Sequence, residues 1–357
     1  MRLGTLRVSS GPARRPLPQL ELLAERAPHA LPVLDERARG TSFVRLGVRS
    51  VLNSPASTGM GFWSINPYVG CEFGCTYCYA RDTHRYTLER LGQTGDTPAW
   101  LDFEQRILVK TEVADVLART LDSARLGSDS LVIGTATDPY QPAERRFRLT
   151  RAILERLLGF RGLSIGIITK SPLVTRDLRL LQALSARHEV TVNISLASLD
   201  ARLIRRLELR SPVPGARIRA LRRLAEGGVH AGLLIAPIVP GITDDREGLS
   251  RLMGAAKEAG ARYVVGSALR LGPAARRRFL PVLTREFPQL AGRYRRHYAD
   301  REGASPAYQA ALKRRVQELE RLHGFSEDEG RRRRRQLEEP RPREPAAGQA
   351  QSALALI

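Results

Sequence analysis

The sequence predicts an α/β protein: a partial (β/α)6 TIM-like barrel with a parallel sheet, followed by C-terminal helices. Three observations carry this. Six short apolar runs, at residues 62–66, 131–136, 163–169, 190–196, 231–239 and 263–269, are rich in Val and Ile and bounded by polar, Gly or Pro residues. Strands buried on both faces have that composition. Helical stretches alternate with the runs from the second onward, which implies parallel strands joined by right-handed crossovers. No second set of strands is found that would complete an eightfold barrel.

Each helix carries its own signals. Residues 111–124 place Val113, Val116, Leu117 and Leu121 on one face. Residues 146–158 follow the second run. Ser171 is placed to cap a helix over 173–186, with Pro172 at its first position. Ser198 is read as the cap of 199–208, and Thr243 as the cap of 244–259, with Gly260 past its end. Residues 217–226 stop at Gly227-Gly228. After the sixth run, helices are expected over 276–285 and 307–323, with a Pro- and Gly-bearing linker between them. The chain thus divides into an extended arm (1–60), a core (61–275), a helical extension (276–325) and a disordered charged tail (326–357).

Bulk properties narrow the function. The chain has 357 residues, 42% hydrophobic and 27% charged, enough for a sizeable core without disulfides. No apolar run approaches the ~20 residues of a membrane span, and the N-terminus lacks a long apolar stretch. A soluble cytoplasmic protein with no membrane partner is expected. The net charge of +21 is carried almost wholly by Arg, with only four Lys. It fits a nucleic-acid partner or a compositional preference for Arg over Lys, and its spread along the chain favours neither groove nor patch.

The three cysteines fall within eight residues, Cys71, Cys75 and Cys78, an odd clustered set unlike a disulfide framework. The spacing C-x3-C-x2-C puts three soft thiolates on one loop after the first strand, as an iron–sulfur cluster requires. Three ligands on a [4Fe–4S] cubane leave one iron for an external amine and carboxylate. Gly70 and Gly74 permit the backbone to wrap a bulky group. A structural zinc site normally uses four ligands. No fourth Cys exists, and His84 lies at an unusual spacing, but a zinc-stabilised, non-catalytic nucleic-acid-binding protein stays as the alternative.

The motif Asn66-Pro67-Tyr68-Val69-Gly70-Cys71…Cys75-Thr76-Tyr77-Cys78-Tyr79-Ala80-Arg81 resembles the radical S-adenosylmethionine (SAM) superfamily, and within it the spore photoproduct lyase-like branch. Thr137-Asp138-Pro139-Tyr140-Gln141-Pro142-Ala143-Glu144, Thr169-Lys170-Ser171 and Ala236-Pro237-Ile238 extend the resemblance over residues 60–272. It implies that the core is a radical SAM domain with a [4Fe–4S] cluster on Cys71, Cys75 and Cys78. It further implies SAM cleavage to a 5′-deoxyadenosyl radical that abstracts hydrogen from a substrate, either a nucleic-acid base or lesion or a small molecule or peptide. A one-electron donor such as flavodoxin or ferredoxin is the implied partner. Lys170 and Ser195 are the implied partners of the SAM carboxylate or ribose, Thr135 and Thr137 are candidates near its amine, and Ala236 lines the adenine. Tyr77 and Tyr79 match positions implicated in hydrogen transfer, and Tyr77 also in adenine binding. Arg81 and Arg270 are read as ordinary solvated arginines. One departure stands out: no Cys exists outside the loop, where the lyase uses an additional one.

Overall fold

The computed structural model describes residues 33–36, 40–92, 98–127, 129–326 and 329. Residues 1–32 and 37–39 of the expected arm, and all but two residues of the expected tail, lie outside the described residues. In chain order, β1 (Val33–Glu36), β2 (Ser42–Arg45) and β3 (Leu52–Asn53) precede α1 (Pro55–Thr58), β4 (Trp63–Ile65) and β5 (Tyr68–Val69). Helices α2 (Ala80–Arg90) and α3 (Ala99–Gln105) lead to β6 (Arg106–Val109), α4 (Val113–Thr120) and α5 (Ser123–Leu126). Next come β7 (Ser130–Ile133), α6 (Glu144–Phe147), α7 (Leu149–Leu157), β8 (Ser164–Thr169), α8 (Leu178–Ser185) and β9 (Glu189–Ser195). Helices α9 (Ala201–Leu207) and α10 (Pro214–Glu226) precede β10 (Ala231–Ile238), α11 (Arg246–Glu258) and β11 (Val264–Ala268). The last elements are α12 (Pro273–Glu286), α13 (Pro288–His297) and α14 (Pro306–Leu322).

The six expected strands are β4, β7, β8, β9, β10 and β11. They lie side by side in sequence order and every neighbouring pair is parallel. Strand β3 adds an antiparallel edge to β4. Leu131, Ile133, Ile165, Ile167, Val192, Ile194, Leu233 and Ile235 are all buried. Burial on both faces is what a helix-flanked parallel sheet requires. The apolar stripes of α4 (Val113, Val116, Leu117), α7 (Ile153, Leu154, Leu157) and α11 (Leu252, Met253) supply the cover. The result is the α/β part-barrel that the periodicity predicts.

Four features depart from the sequence reading. A second sheet exists, in the order β1-β2-β6-β5, with β2 and β6 parallel and the outer pairs antiparallel. Its strands are two to four residues long, too short for a period to register, and it gives β-structure to part of the segment read as an arm. Asp200, not Ser198, caps α9, accepting from the Arg202 and Leu203 N–H groups at 2.8 and 3.0 Å. Asp245, not Thr243, caps α11 through the Gly248 N–H at 2.6 Å. In both cases a carboxylate two residues further on reaches the free N–H groups, while Ser198 and Thr243 brace the preceding loop. The expected linker between the two C-terminal helices contains α13, with Pro288 in its first turn, where a missing N–H is harmless.

Candidate functional site

The cysteine loop leaves β5, whose Tyr68 pairs with Val109 of β6, so the unanticipated small sheet aims it. Backbone hydrogen bonds hold its course. Cys71 N–H donates to Phe103 O at 2.9 Å, and Thr76 N–H and Oγ1 both donate to Leu207 O at 2.9 Å. Glu72 N–H donates to Gln141 Oε1 (2.9 Å), and the Glu72 carboxylate accepts from Ala143 N–H (2.6 Å). Gly70 and Gly74 have φ of +96° and +63°. A Cβ at Gly70 would come within 3.0 Å of Phe103 O, and one at Gly74 within 2.8 Å of Glu104 Oε2. Conformation and space therefore both require glycine.

Cys71 and Cys75 are buried and Cys78 is half-buried. Burial pushes all three thiols up. Cys71 and Cys75 each feel the field of Cys78, and Lys170 lowers Cys75 and Cys78. Among the described residues no three Cys, His, Asp or Glu side chains form a group able to hold a metal ion. His84 is buried with Nε2 against Arg106 O.

Lys170 follows β8 directly. Its N–H and the Thr169 hydroxyl each donate to the Asp138 carboxylate at 2.7 Å, which ties the end of β8 to the loop after β7. Its ammonium donates to Ser195 Oγ, at the end of β9, at 2.9 Å and lies 3.6 Å from Glu208 Oε1. The ammonium also sits 5.8 Å from the centre of the Tyr77 ring. Glu208 is fully buried. It accepts from the Tyr77 hydroxyl, from Arg217 and, at 2.7 Å, from Ser211 Oγ. Its backbone forms an antiparallel bridge with Cys75. Arg217, also fully buried, donates to Ser195 O at 2.9 Å.

Burial alone would raise the Glu208 carboxyl, but the Lys170 ammonium and the Arg217 guanidinium overcome it and hold it far below the carboxylate range. Burial would likewise lower Lys170, but Glu208, Cys75 and Asp138 together more than offset it and hold the ammonium above its usual range. Lys170, Arg217 and Glu208 therefore form a charged group beside the cysteines, and the buried Asp138 carboxyl also acts on Lys170 and Cys71. Only 14% of the Lys170 side chain reaches solvent. A largely buried ammonium facing the loop is a point charge suited to receive a carboxylate.

The other expected site residues fall around this centre. Thr135 is half-buried, its Oγ1 accepting from Asn66 Nδ2 at 3.2 Å. Thr137 is buried and donates to Gly70 O at 2.6 Å, so its hydroxyl braces the loop. Ala236 is half-buried, with its carbonyl 3.4 Å from Ser195 Oγ. The Tyr77 hydroxyl is directed inward to Glu208, whereas Tyr79 is 46% exposed and its hydroxyl donates to Thr135 O. Arg270 is largely exposed and pairs with Glu302 at 3.7 Å, as a solvated arginine does. Arg81 is not solvated: it is fully buried, with Nη2 donating to Cys75 O at 2.7 Å and to Glu104. Sequence reasoning missed Glu208 and Arg217, and it places Asn66 and Gln141 in motifs without giving them a role. Nothing in the local pattern marks a Glu near a helix end as the partner of a Lys on another strand.

A cleft of about 560 Å³ opens beyond β10 and α13, with Arg293, Arg296, Arg301, Tyr294 and Tyr298 among its walls. Tyr294 and Tyr298 share one apolar cluster with Cys71, Cys75 and Tyr77. No described helix is long and apolar enough to cross a membrane.

Known proteins share this architecture. The chain is 34% identical over 282 residues to an uncharacterized protein of Mycobacterium tuberculosis, covering 78% of this chain and 80% of that one. It is 31% identical over 180 residues to an uncharacterized protein of Methanocaldococcus jannaschii, covering 50% and 61%. Among solved structures, a spore photoproduct lyase mutant with bound AdoMet and dinucleoside spore photoproduct superposes with a TM-score of 0.57 at 16% identity, over 79% of each chain. Residues 65–253 match the model of the radical SAM superfamily. That match runs from the last residue of β4 through the cysteine loop to β10 and into α11, and with it the chain belongs to the radical SAM superfamily of enzymes.

Proposed function

We propose that Cys71, Cys75 and Cys78 hold a [4Fe–4S] cluster and that Lys170 and Ser195 receive the carboxylate end of SAM. The chemistry of the donor set suits the group: three soft thiols on one short loop, close enough for Cys71 and Cys78 to act on Cys75, are ligands for a multi-iron cluster whose separate irons can each take one of them, not for a single ion. When bound, the pair supplies the electron and the sulfonium whose cleavage yields a 5′-deoxyadenosyl radical for hydrogen abstraction. The carrying observation is the largely buried Lys170 ammonium, held between Ser195 and Glu208, with Glu208 bridged to Cys75. Ser195 orients the ammonium, Glu208 keeps it charged, and Asp138 fixes the backbone from which it springs.

For the substrate we favour a nucleic-acid base or lesion. The cleft beside β10 is lined by the guanidinium groups of Arg293, Arg296 and Arg301, the groups that neutralise phosphates, over the buried rings of Tyr294 and Tyr298. Tyr79, exposed at the rim, is the residue offered to relay hydrogen. With no thiol outside the loop, repair by a cysteine hydrogen donor is not the route here. A small-molecule or peptide substrate is the reading to adopt if oligonucleotide binding proves negligible at low salt.

The test is anaerobic reconstitution with iron and sulfide, followed by reduction with dithionite. About four irons per chain and 5′-deoxyadenosine formation are expected. Cys71→Ala, Cys75→Ala and Cys78→Ala should each abolish cleavage. Stoichiometric zinc with no affinity for SAM in folded protein would overturn the proposal.

A further inference from the structure

Behind the cysteine loop an arginine reaches solvent. Arg210, 44% exposed, donates its backbone N–H to Phe73 O at 3.0 Å and Nε to Glu72 O at 2.6 Å. It thus touches the loop between Cys71 and Cys75. Its Nη2 donates to Glu104 at 2.7 Å. Glu104 is shared with Arg278 at 3.0 Å and with Arg81, which bonds the Cys75 carbonyl. Three guanidinium groups therefore meet one buried carboxylate directly behind the loop.

This spot continues into a basic groove. Arg205 Nη1 donates to Leu209 O at 2.6 Å, and Leu209 lines a groove of about 510 Å³ between α9 and the end of α12. Arg202, Arg205, Arg206 and Arg285 line it against a single acid, Glu286, to which Arg206 is bonded at 2.7 Å. No aromatic side chain lines it, so it lacks the platforms on which bases stack. It differs in this from the tyrosine-walled cleft beside β10.

We infer that the face formed by α9, the C-terminal turn of α12 and Arg210 docks a small acidic one-electron carrier protein that reduces the cluster. The inference rests on the cluster and SAM reading above. In the step, the reduced flavin or iron–sulfur centre of the carrier loses one electron and the cluster gains it. No covalent bond forms or breaks, and any proton released stays with the carrier and solvent. The opposed charges steer the carrier to a place where an exposed side chain, Arg210, contacts the backbone between Cys71 and Cys75, and such steering raises association rates by ~10- to 1,000-fold at low ionic strength.

The test uses the reconstituted full chain and its Arg202→Glu/Arg285→Glu variant. 5′-Deoxyadenosine formation is driven either by photoreduced flavodoxin or by dithionite. At low ionic strength the variant should lose about tenfold or more of the flavodoxin-driven rate and most of its salt dependence. The dithionite-driven rate should stay within about twofold of the unmodified protein, since a small reductant needs no docking face. An unchanged flavodoxin-driven rate overturns the inference. So does an equal fall with both reductants, or a loss of oligonucleotide binding with electron delivery intact, which would make the groove a phosphate site. Failure of the unmodified protein to cleave SAM with either reductant overturns the SAM reading itself, and this face with it.

Discussion

The cysteine loop gathers its three thiols from eight consecutive positions, whereas the charged cluster beside it joins Tyr77, Lys170, Ser195, Glu208 and Arg217 from four separate parts of the chain. The loop is held mainly through its backbone, by partners such as Phe103 O, Leu207 O and Gln141. The cluster is held side chain to side chain, in the interior. A thiol can therefore be removed with the fold intact. A charge cannot, because its partners are left buried and unpaired. The loop is fixed by its backbone, and the charged group is fixed by its own side-chain pairs.

Glu208→Gln is the strongest way to break that comparison. It leaves Lys170 and Arg217 as uncompensated buried cations, and should lower unfolding free energy by about 3–5 kcal/mol in denaturant titration. A loss under about 1 kcal/mol would mean that the cluster is not structural. Lys170→Met is milder, since Glu208 keeps Arg217. Calorimetric titration of the reconstituted protein should show SAM binding weakened by about 10- to 100-fold, the value of a charged hydrogen bond. Retained affinity would move the carboxylate site elsewhere.

The same carboxylate sets a pH response. The folded pKa of Glu208 lies well below its unfolded value, so its contribution is fully present above about pH 4.3 and is lost as pH falls toward the folded value. Acid titration of thermal stability should be steeper below about pH 5 for the unmodified protein than for Glu208→Gln. Equal slopes would assign the acid sensitivity to other carboxylates. At the weak end stands the exposed pair Arg45–Glu112, 2.8 Å apart with half of each side chain in solvent. Glu112→Ala should change stability by under about 1 kcal/mol, and a larger effect would show that surface pairs on the small sheet matter as buried ones do.

The six parallel strands were legible because strands buried on both faces must be continuous apolar runs, as in β8 and β10. The cysteine spacing was legible because metal-cluster ligation from one loop is local. Strands such as β5, two residues long, leave no period to read. Helix α13 hid behind its Pro and Gly. The caps were misjudged because Ser198 and Asp200, or Thr243 and Asp245, compete for the same N–H groups, and only the path of the entering chain decides between them.

By itself the sequence determined the part-barrel and the loop with three thiols, since both follow from patterns within a few residues. Only the tertiary structure decided which charges face them: that Arg81 turns inward to the Cys75 carbonyl, that Glu208 meets Lys170, and that Arg210 stands at the outer edge of the loop. Partnerships between distant charged side chains depend on three-dimensional proximity and on which groups have lost water, and neither is written in local spacing.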